Sequence, residues 1–135
     1  MKARKVIELP GSQGLFNAEW SPDGRYIQAR RGDHHALMTF SFKTQQWTEL
    51  ANGEVSWAIW SRDSQYVYFE RHGNEHAIMR VRMADRRVEH VADLEKLKRT
   101  GTTGGFWFGL TPDDSSLVLR DTGTQEIYAL DWKQP

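Results

Sequence analysis

Four of the five histidines fall in two tight groups, His34–His35 and His72 with His76. Imidazoles so spaced would suit proton transfer or a metal ion. Both groups lie in loop sequence, and no ordered carboxylate pattern accompanies them. A metal site needs a defined ligand set and geometry, so no metal ligand is expected. Asp23, Asp63 and Asp113 recur in a repeated phrase and invite a reading as catalytic carboxylates. Each sits in its own turn, one repeat from the next. That is too far for a carboxylate pair, which works across a few ångströms. Turn capping is their expected role, and Asp114 beside Asp113 belongs to the same turn. GTTGG (101–105) lacks the order of a phosphate loop, and the lysines precede it. No Gly-x-Ser-x-Gly element is present, and no Ser-His-Asp set has an evident reason to converge. No catalytic residue and no cofactor is expected.

The chain has 135 residues, enough for one domain with a real core. Lys plus Arg and Asp plus Glu each number 18, so the formal charge is zero. That excludes the basic footprint of non-specific nucleic-acid binding. It also leaves little repulsion against self-association. With no cysteine, disulfides, thiolate metal sites and cysteine nucleophiles are excluded together. The compartment stays open, because such a chain folds in the cytoplasm or the periplasm. No apolar run approaches the roughly 18 residues of a membrane span. MKARKVIELP carries basic residues without a following apolar stretch, so no signal peptide is expected.

An internal repeat sets the architecture. AEWSPDGRYIQAR from Ala18, AIWSRDSQYVYFER from Ala58 and FGLTPDDSSLVLRD from Phe108 align. Trp20, Trp60 and Leu110 correspond, 40 and 50 residues apart. Each copy reads as four short strands. The first is short and spans residues 16–21, 56–61 and 106–111. A turn of Pro, Asp, Gly and Ser follows, with hairpin chemistry. The second strand alternates from Tyr26, Tyr66 and Leu117. The third is HALMTFSF, HAIMRVRM and EIYALDW, and the fourth is QWTELA (46–51) and RRVEHVAD (86–93). A period near 40 with several strands per copy matches a propeller blade. The third copy has no fourth strand, but KVIELP (5–10) resembles one and would complete that blade. The expected segments are a closing strand at 5–10, blade one at 16–51, blade two at 56–93 and blade three at 106–132. Between the last two, DLEKLKRTG (93–101) suggests a short helical insert ended by glycine. Trp20, Trp57, Trp60 and Trp107 are expected to pack between blades. Trp47 and Trp132 are placed at blade rims or at a closing interface.

The best candidate surface is the end carrying the loops between second and third strands and between blades. Loops on a rigid scaffold carry function. Arg30, Arg31, Asp33, His34 and His35 fall there, then Arg71, His72, Glu75 and His76, then Arg120, Asp121 and Glu126. Lys96, Lys98 and Arg99 add to it. An anionic peptide or small polar ligand would meet Arg30, Arg71 and Arg120 near the axis.

The W-S-P-D-G-x-Y-I phrase at 20–27 resembles the WD40-like (PD40) repeat of TolB-type propellers. Residues 60–67 follow it with Arg62 and Ser64 substituted, and 110–119 follow it loosely. The ending LRDTGTQEIYALDW is similar to the C-terminal blades of bacterial propellers attached to winged-helix or Ser/Thr-kinase domains. The resemblance implies an all-β fold of three four-stranded antiparallel blades. It further implies a non-enzymatic module for a protein or peptide partner, or the ligand-sensing part of a larger regulator. A hydrolase or lyase working on a propeller face is the remaining alternative. Propellers typically hold four to eight blades. Three blades are thus half of a six-bladed ring, closed by a homodimer, or a fragment of a longer propeller.

Overall fold

The computed structural model describes residues 6–99, 101–102 and 105–123. Strands β1 (Leu15–Trp20), β2 (Tyr26–Arg31), β3 (Ala36–Ser41) and β4 (Gln46–Asn52) form an antiparallel sheet in chain order. Strands β5 (Val55–Trp60), β6 (Tyr66–Arg71), β7 (Ala77–Arg82) and β8 (Val88–Asp93) form a second such sheet. A small hairpin follows, β9 (Gly101–Thr102) with β10 (Gly105–Phe106). The third sheet begins with β11 (Phe108–Leu110) and β12 (Ser116–Val118), also antiparallel. The chain is all-β and stacks as propeller blades. No helix among the described residues is long and apolar enough to cross a membrane.

Alternation decides which face of blade two meets which neighbour. Val67, Phe69, Ala77, Met79 and Val81 pack with Leu37, Leu50 and Ala51 of blade one. The opposite face offers Tyr68 and Ile78 to Leu94 and Phe108. Phe40, Phe69 and Phe108 are fully buried, each contributing about 1.5–3 kcal/mol of transfer free energy.

The turn phrase builds the same structure three times. Gly24, Ser64 and Asp114 all take left-handed φ, 71°, 61° and 61°. The Ser21 and Ser61 hydroxyls donate to Asp23 and Asp63 at 2.7 Å, and Thr111 donates to Asp113. Each Asp Oδ1 also accepts a backbone N–H two residues on, at 3.0, 2.9 and 3.3 Å. The turns also link across blades. Asp23 N–H donates to Ser64 Oγ at 3.1 Å, and Arg62 N–H donates to Asp114 Oδ1 at 3.2 Å.

Three expectations meet differences. Residues 94–99 form a single turn, Leu97 N–H to Leu94 O at 3.1 Å, and not a helix. Leu94 is drawn into the core beside Phe108, and Arg99 is drawn into an antiparallel bridge with Arg120. Of the four tryptophans placed between blades, only Trp60 is buried. Its Nε1–H donates to Glu19 O of blade one at 3.2 Å. Trp20, the matching residue of blade one, is 57% exposed and stacks on Phe42 instead. Residues 6–9 form no strand with any described residue, and Pro10 O accepts the Trp47 indole N–H at 3.0 Å. Lys5, the third strand of blade three and Trp132 lie outside the described residues.

Candidate functional site

The loop end is built by three connections. After β2, Arg31 grips the Asp33 carboxylate with Nε at 3.0 Å from both oxygens. Asp33 also accepts the His35 backbone N–H at 2.9 Å. That bond, then Arg31, holds the Asp33 carboxyl below its usual range. His34, at φ 61°, turns its ring edge-on to Phe16. The β4–β5 link fastens to this loop, with Gly53 N–H on His35 O at 3.1 Å and Val55 N–H on His34 O at 2.9 Å. Glu54 O in turn accepts the His72 N–H at 2.9 Å.

The β6–β7 hairpin completes the site. Its register pairs Arg71 with Ala77, so His72 and His76 close the hairpin opposite each other. Strand alternation puts Glu70 on the same face as His72. His76 Nε2 lies 2.7 Å from His72 Nδ1, and His72 Nε2 lies 2.8 Å from Ser56 Oγ. Glu70 is fully buried, with Oε1 3.6 Å from His72 Nε2 and 4.0 Å from His76 Nε2. Arg99, brought by the turn after β8, pairs with the same oxygen and donates to Trp107 O at 3.0 Å. Burial holds the His72 imidazole below its ordinary pKa. The Glu70 charge opposes that shift, and His76 and Arg99 reinforce it.

Two clefts open here. One, of about 310 Å³, is lined by Asp33, His34, His35, Glu54, Ser56 and His72. The other, of about 270 Å³, lies between Asn52, Glu54, Arg71, His72 and Glu75. His72 and Glu54 belong to both.

The histidine groups are therefore divided. His72 and His76 meet each other and a carboxylate, and His35 lines the first cleft with His72. The expectation of no accompanying carboxylate fails at Glu70. Glu70, His72 and His76 each offer one donor atom, all within 4.8 Å of one another. Arg99 already places a positive charge on Glu70 Oε1. The two imidazole nitrogens 2.7 Å apart serve each other. Glu70 Oε2 is buried without a partner among the described residues, and the set as built is a hydrogen-bonded charge cluster around Oε1.

The three arginines placed near one axis do not converge. Arg30 lines a separate cavity between blades. Arg71 donates to Asn52 O at 3.3 Å and lies 3.7 Å from Glu75. Arg120 is bridged to Arg99. Lys98 lies 3.6 Å from Asp121, and Lys96 is exposed. Glu126 lies outside the described residues. Glu70 and Ser56 escaped sequence reasoning. The available signal was the period of two running back from His72 to Tyr68, with the three-residue loop between His72 and His76.

No family model matches the sequence, and no curated protein sequence matches it. Among solved structures, the chain is similar to the tricorn protease at 15% identity and TM-score 0.53, covering 74% of this chain and 10% of that one. It is likewise similar to TolB from Acinetobacter baumannii at 18% identity and TM-score 0.52, covering 74% of this chain and 25% of that one. It thus spans a quarter or less of the length of these structures, and at such identities the likeness is one of fold. The repeated turn phrase, the four-stranded sheets and these two likenesses agree that the chain has the TolB-like β-propeller fold.

Proposed function

We propose that this chain is a non-enzymatic interaction module whose loop end receives a protein or peptide partner. The polar lining of the loop end carries this reading. A cleft of about 410 Å³ also opens at the turn end, between Arg25, Asp63, Gln65 and Arg82, but its aspartate is held by its own turn. At the turn end Asp23, Asp63 and Asp113 are consumed by their own turns. At the loop end Asp33, His35, Glu54, His72 and Glu75 line two open clefts on a rigid scaffold. Mixed charge in such clefts suits a polar peptide or loop with both donors and acceptors. Photo-crosslinking from Asn74, at the loop end, against Thr44, at the turn end, tests it. Adducts of defined mass confined to Asn74 are expected. Equal yields from both ends would refute it.

The same module docks other blades through the outer face of blade one. Trp60 shows what a neighbour does at this position, since it is buried and bonded to the preceding blade. Trp20 has one ring face against Phe42 and leaves the rest of the equivalent surface exposed. A second copy of the chain is the occupant proposed, giving a six-bladed ring. Light scattering after size exclusion should return twice the chain mass, and Trp20→Asp should return the chain mass. A monomer for the unaltered chain would refute this docking.

The contacts of Ser56 support a second reading. Ser56 Oγ, His72 Nε2, His72 Nδ1 and His76 Nε2 form a hydroxyl–imidazole–imidazole relay at 2.8 and 2.7 Å. Such a relay gives a serine nucleophile its base and gives the base its orienting group. Hydrolysis at this cleft requires that a fluorophosphonate label Ser56 and spare Ser56→Ala. Failure of the unaltered chain to label removes this reading and leaves the interaction module standing.

A further inference from the structure

A further cavity, of about 400 Å³, lies between the inner strands of blades one and two. Two bulges shape it. Both β1 and β5 break register midway, between Phe16 and Glu19 and, one residue earlier in the repeat, between Val55 and Ala58. Bulges re-aim side chains and recur beside functional sites. The cavity takes its walls from Asn17, Glu19 and Gln28 on blade one and from Trp57 and Ile59 on blade two, with Arg30 among them.

Two polar side chains in that wall are more than nine-tenths buried and incompletely partnered. Arg30 is 8% exposed, and among the described residues no carboxylate or carbonyl accepts from its guanidinium. Its one close companion is the Phe16 ring, 4.7 Å below. Gln28 is 2% exposed, and its Nε2 serves Ala58 O at 3.2 Å and Glu19 Oε2 at 3.4 Å. Gln28 Oε1 has no donor among the described residues. The Arg30 nitrogens are not sealed from solvent, and no carboxylate of the described residues lies in ion-pair contact with them, so the fork faces the cavity. Arg30 reaches the same depth as Glu70 one blade later, yet only Glu70 has its partner built in, Arg99.

We propose that this cavity is a binding site for an organic monocarboxylate, held by the Arg30 guanidinium fork. A guanidinium pairs with a carboxylate through two parallel hydrogen bonds. The wall selects the rest of the ligand. Trp57, Ala58 and Ile59 present apolar surface, which suits an apolar or aromatic body. Glu19 adds a negative charge that disfavours a dianion such as phosphate. A free small acid and the carboxyl terminus of a peptide share this chemistry. The proposal stands apart from the loop-end reading, because none of these side chains lines either loop-end cleft.

The test uses the full chain and three probes. They are N-acetylphenylalanine, its carboxamide, and a pentapeptide ending in phenylalanine with a free carboxylate. Binding is followed by titration calorimetry and by the shift of the Trp57 indole N–H resonance. The free acid should bind at least roughly tenfold more tightly than the carboxamide, as expected for a charge-assisted bidentate pair. Arg30→Met should abolish that preference, and Arg30→Lys, which keeps charge but not the fork, should fall between. A pentapeptide stronger than the free acid identifies a peptide terminus as the source, and equal or weaker binding identifies a small acid. Equal affinity for acid and carboxamide would overturn the proposal, as would no saturable binding of either. The acid–amide comparison is made on the unaltered chain, so it holds even if a variant does not fold.

Discussion

Ser64 Oγ accepts the backbone N–H of Asp23 at 3.1 Å, joining the turns of two blades 41 residues apart. Asp114 does the same for Arg62 N–H one blade later. Both residues sit at φ 61°, a left-handed conformation costing a non-glycine residue about 1–2 kcal/mol. Gly24 occupies this position in blade one without strain and without a side chain to reach a neighbour. The strained residues are kept where a preceding blade needs the bond. Ser64→Ala should lower stability by about 1 kcal/mol in urea denaturation. Ser64→Gly loses the same bond but relieves the backbone, so it should cost less than the alanine. The reverse order would break this account of the turn.

Trp60 and Trp20 share a repeat position but not an environment. Trp60→Phe removes a buried indole bonded to Glu19 O, and should cost about 1–3 kcal/mol. Trp20→Phe, at 57% exposure, should stay within about 0.5 kcal/mol under monomeric conditions. Denaturant midpoints of the two variants, measured side by side in dilute solution, check the difference.

Glu70 and Arg99 form a pair whose side chains are 0% and 3% exposed. Removing one partner strands the other, at a cost of about 3–5 kcal/mol. Glu70→Met should therefore be strongly destabilising. Glu70→Met combined with Arg99→Met should recover most of the loss, a coupling that a double-mutant cycle reads directly.

The acidic arm of the stability profile should report His72. Its folded-state pKa lies below the unfolded value because burial disfavours the charged ring. The unfolded state then binds the proton first, so stability is full above about pH 6.5 and is lost as pH falls from there. The groups facing His72 are Glu70, His76, Arg99 and Glu54. His72→Gln should flatten the melting temperature between pH 7.5 and 5. The aspartate turns act lower. Asp63 is held below its ordinary range by the Gln65 N–H and then by Ser61. Its contribution is lost only as pH falls below about 4. An unchanged slope in His72→Gln would show that His72 does not carry the effect.

The blades were legible because their signal is local and repeated. The Trp-Ser-Pro-Asp-Gly phrase carries its own hydrogen bonds, and period-two alternation separates Phe69 from Tyr68 before any packing is known. The loop end was legible as a surface and not as a site. Arg30, Arg71 and Arg120 look equivalent in sequence. Yet Arg30 faces the inter-blade cavity, while Arg71 turns to Asn52 and Arg120 is bridged to Arg99. Their fates depend on neighbouring blades, which alternation does not specify. The insert at 93–101 reads as helical in the sequence because Leu94 and Leu97 are three apart. That spacing fits one turn anchored by a buried leucine equally well.

The loop end as the binding surface is the central claim, and site-specific photo-crosslinking tests it most directly. A photoreactive residue is placed at Asn74 in one chain and at Thr44 in another, both exposed positions on opposite ends of the blades. Each is irradiated in cells of the source organism. The account predicts a discrete adduct from Asn74, lost when His72→Ala and Glu54→Ala remodel the clefts, and none from Thr44. Adducts from Thr44 alone, or equally from both ends, would contradict it.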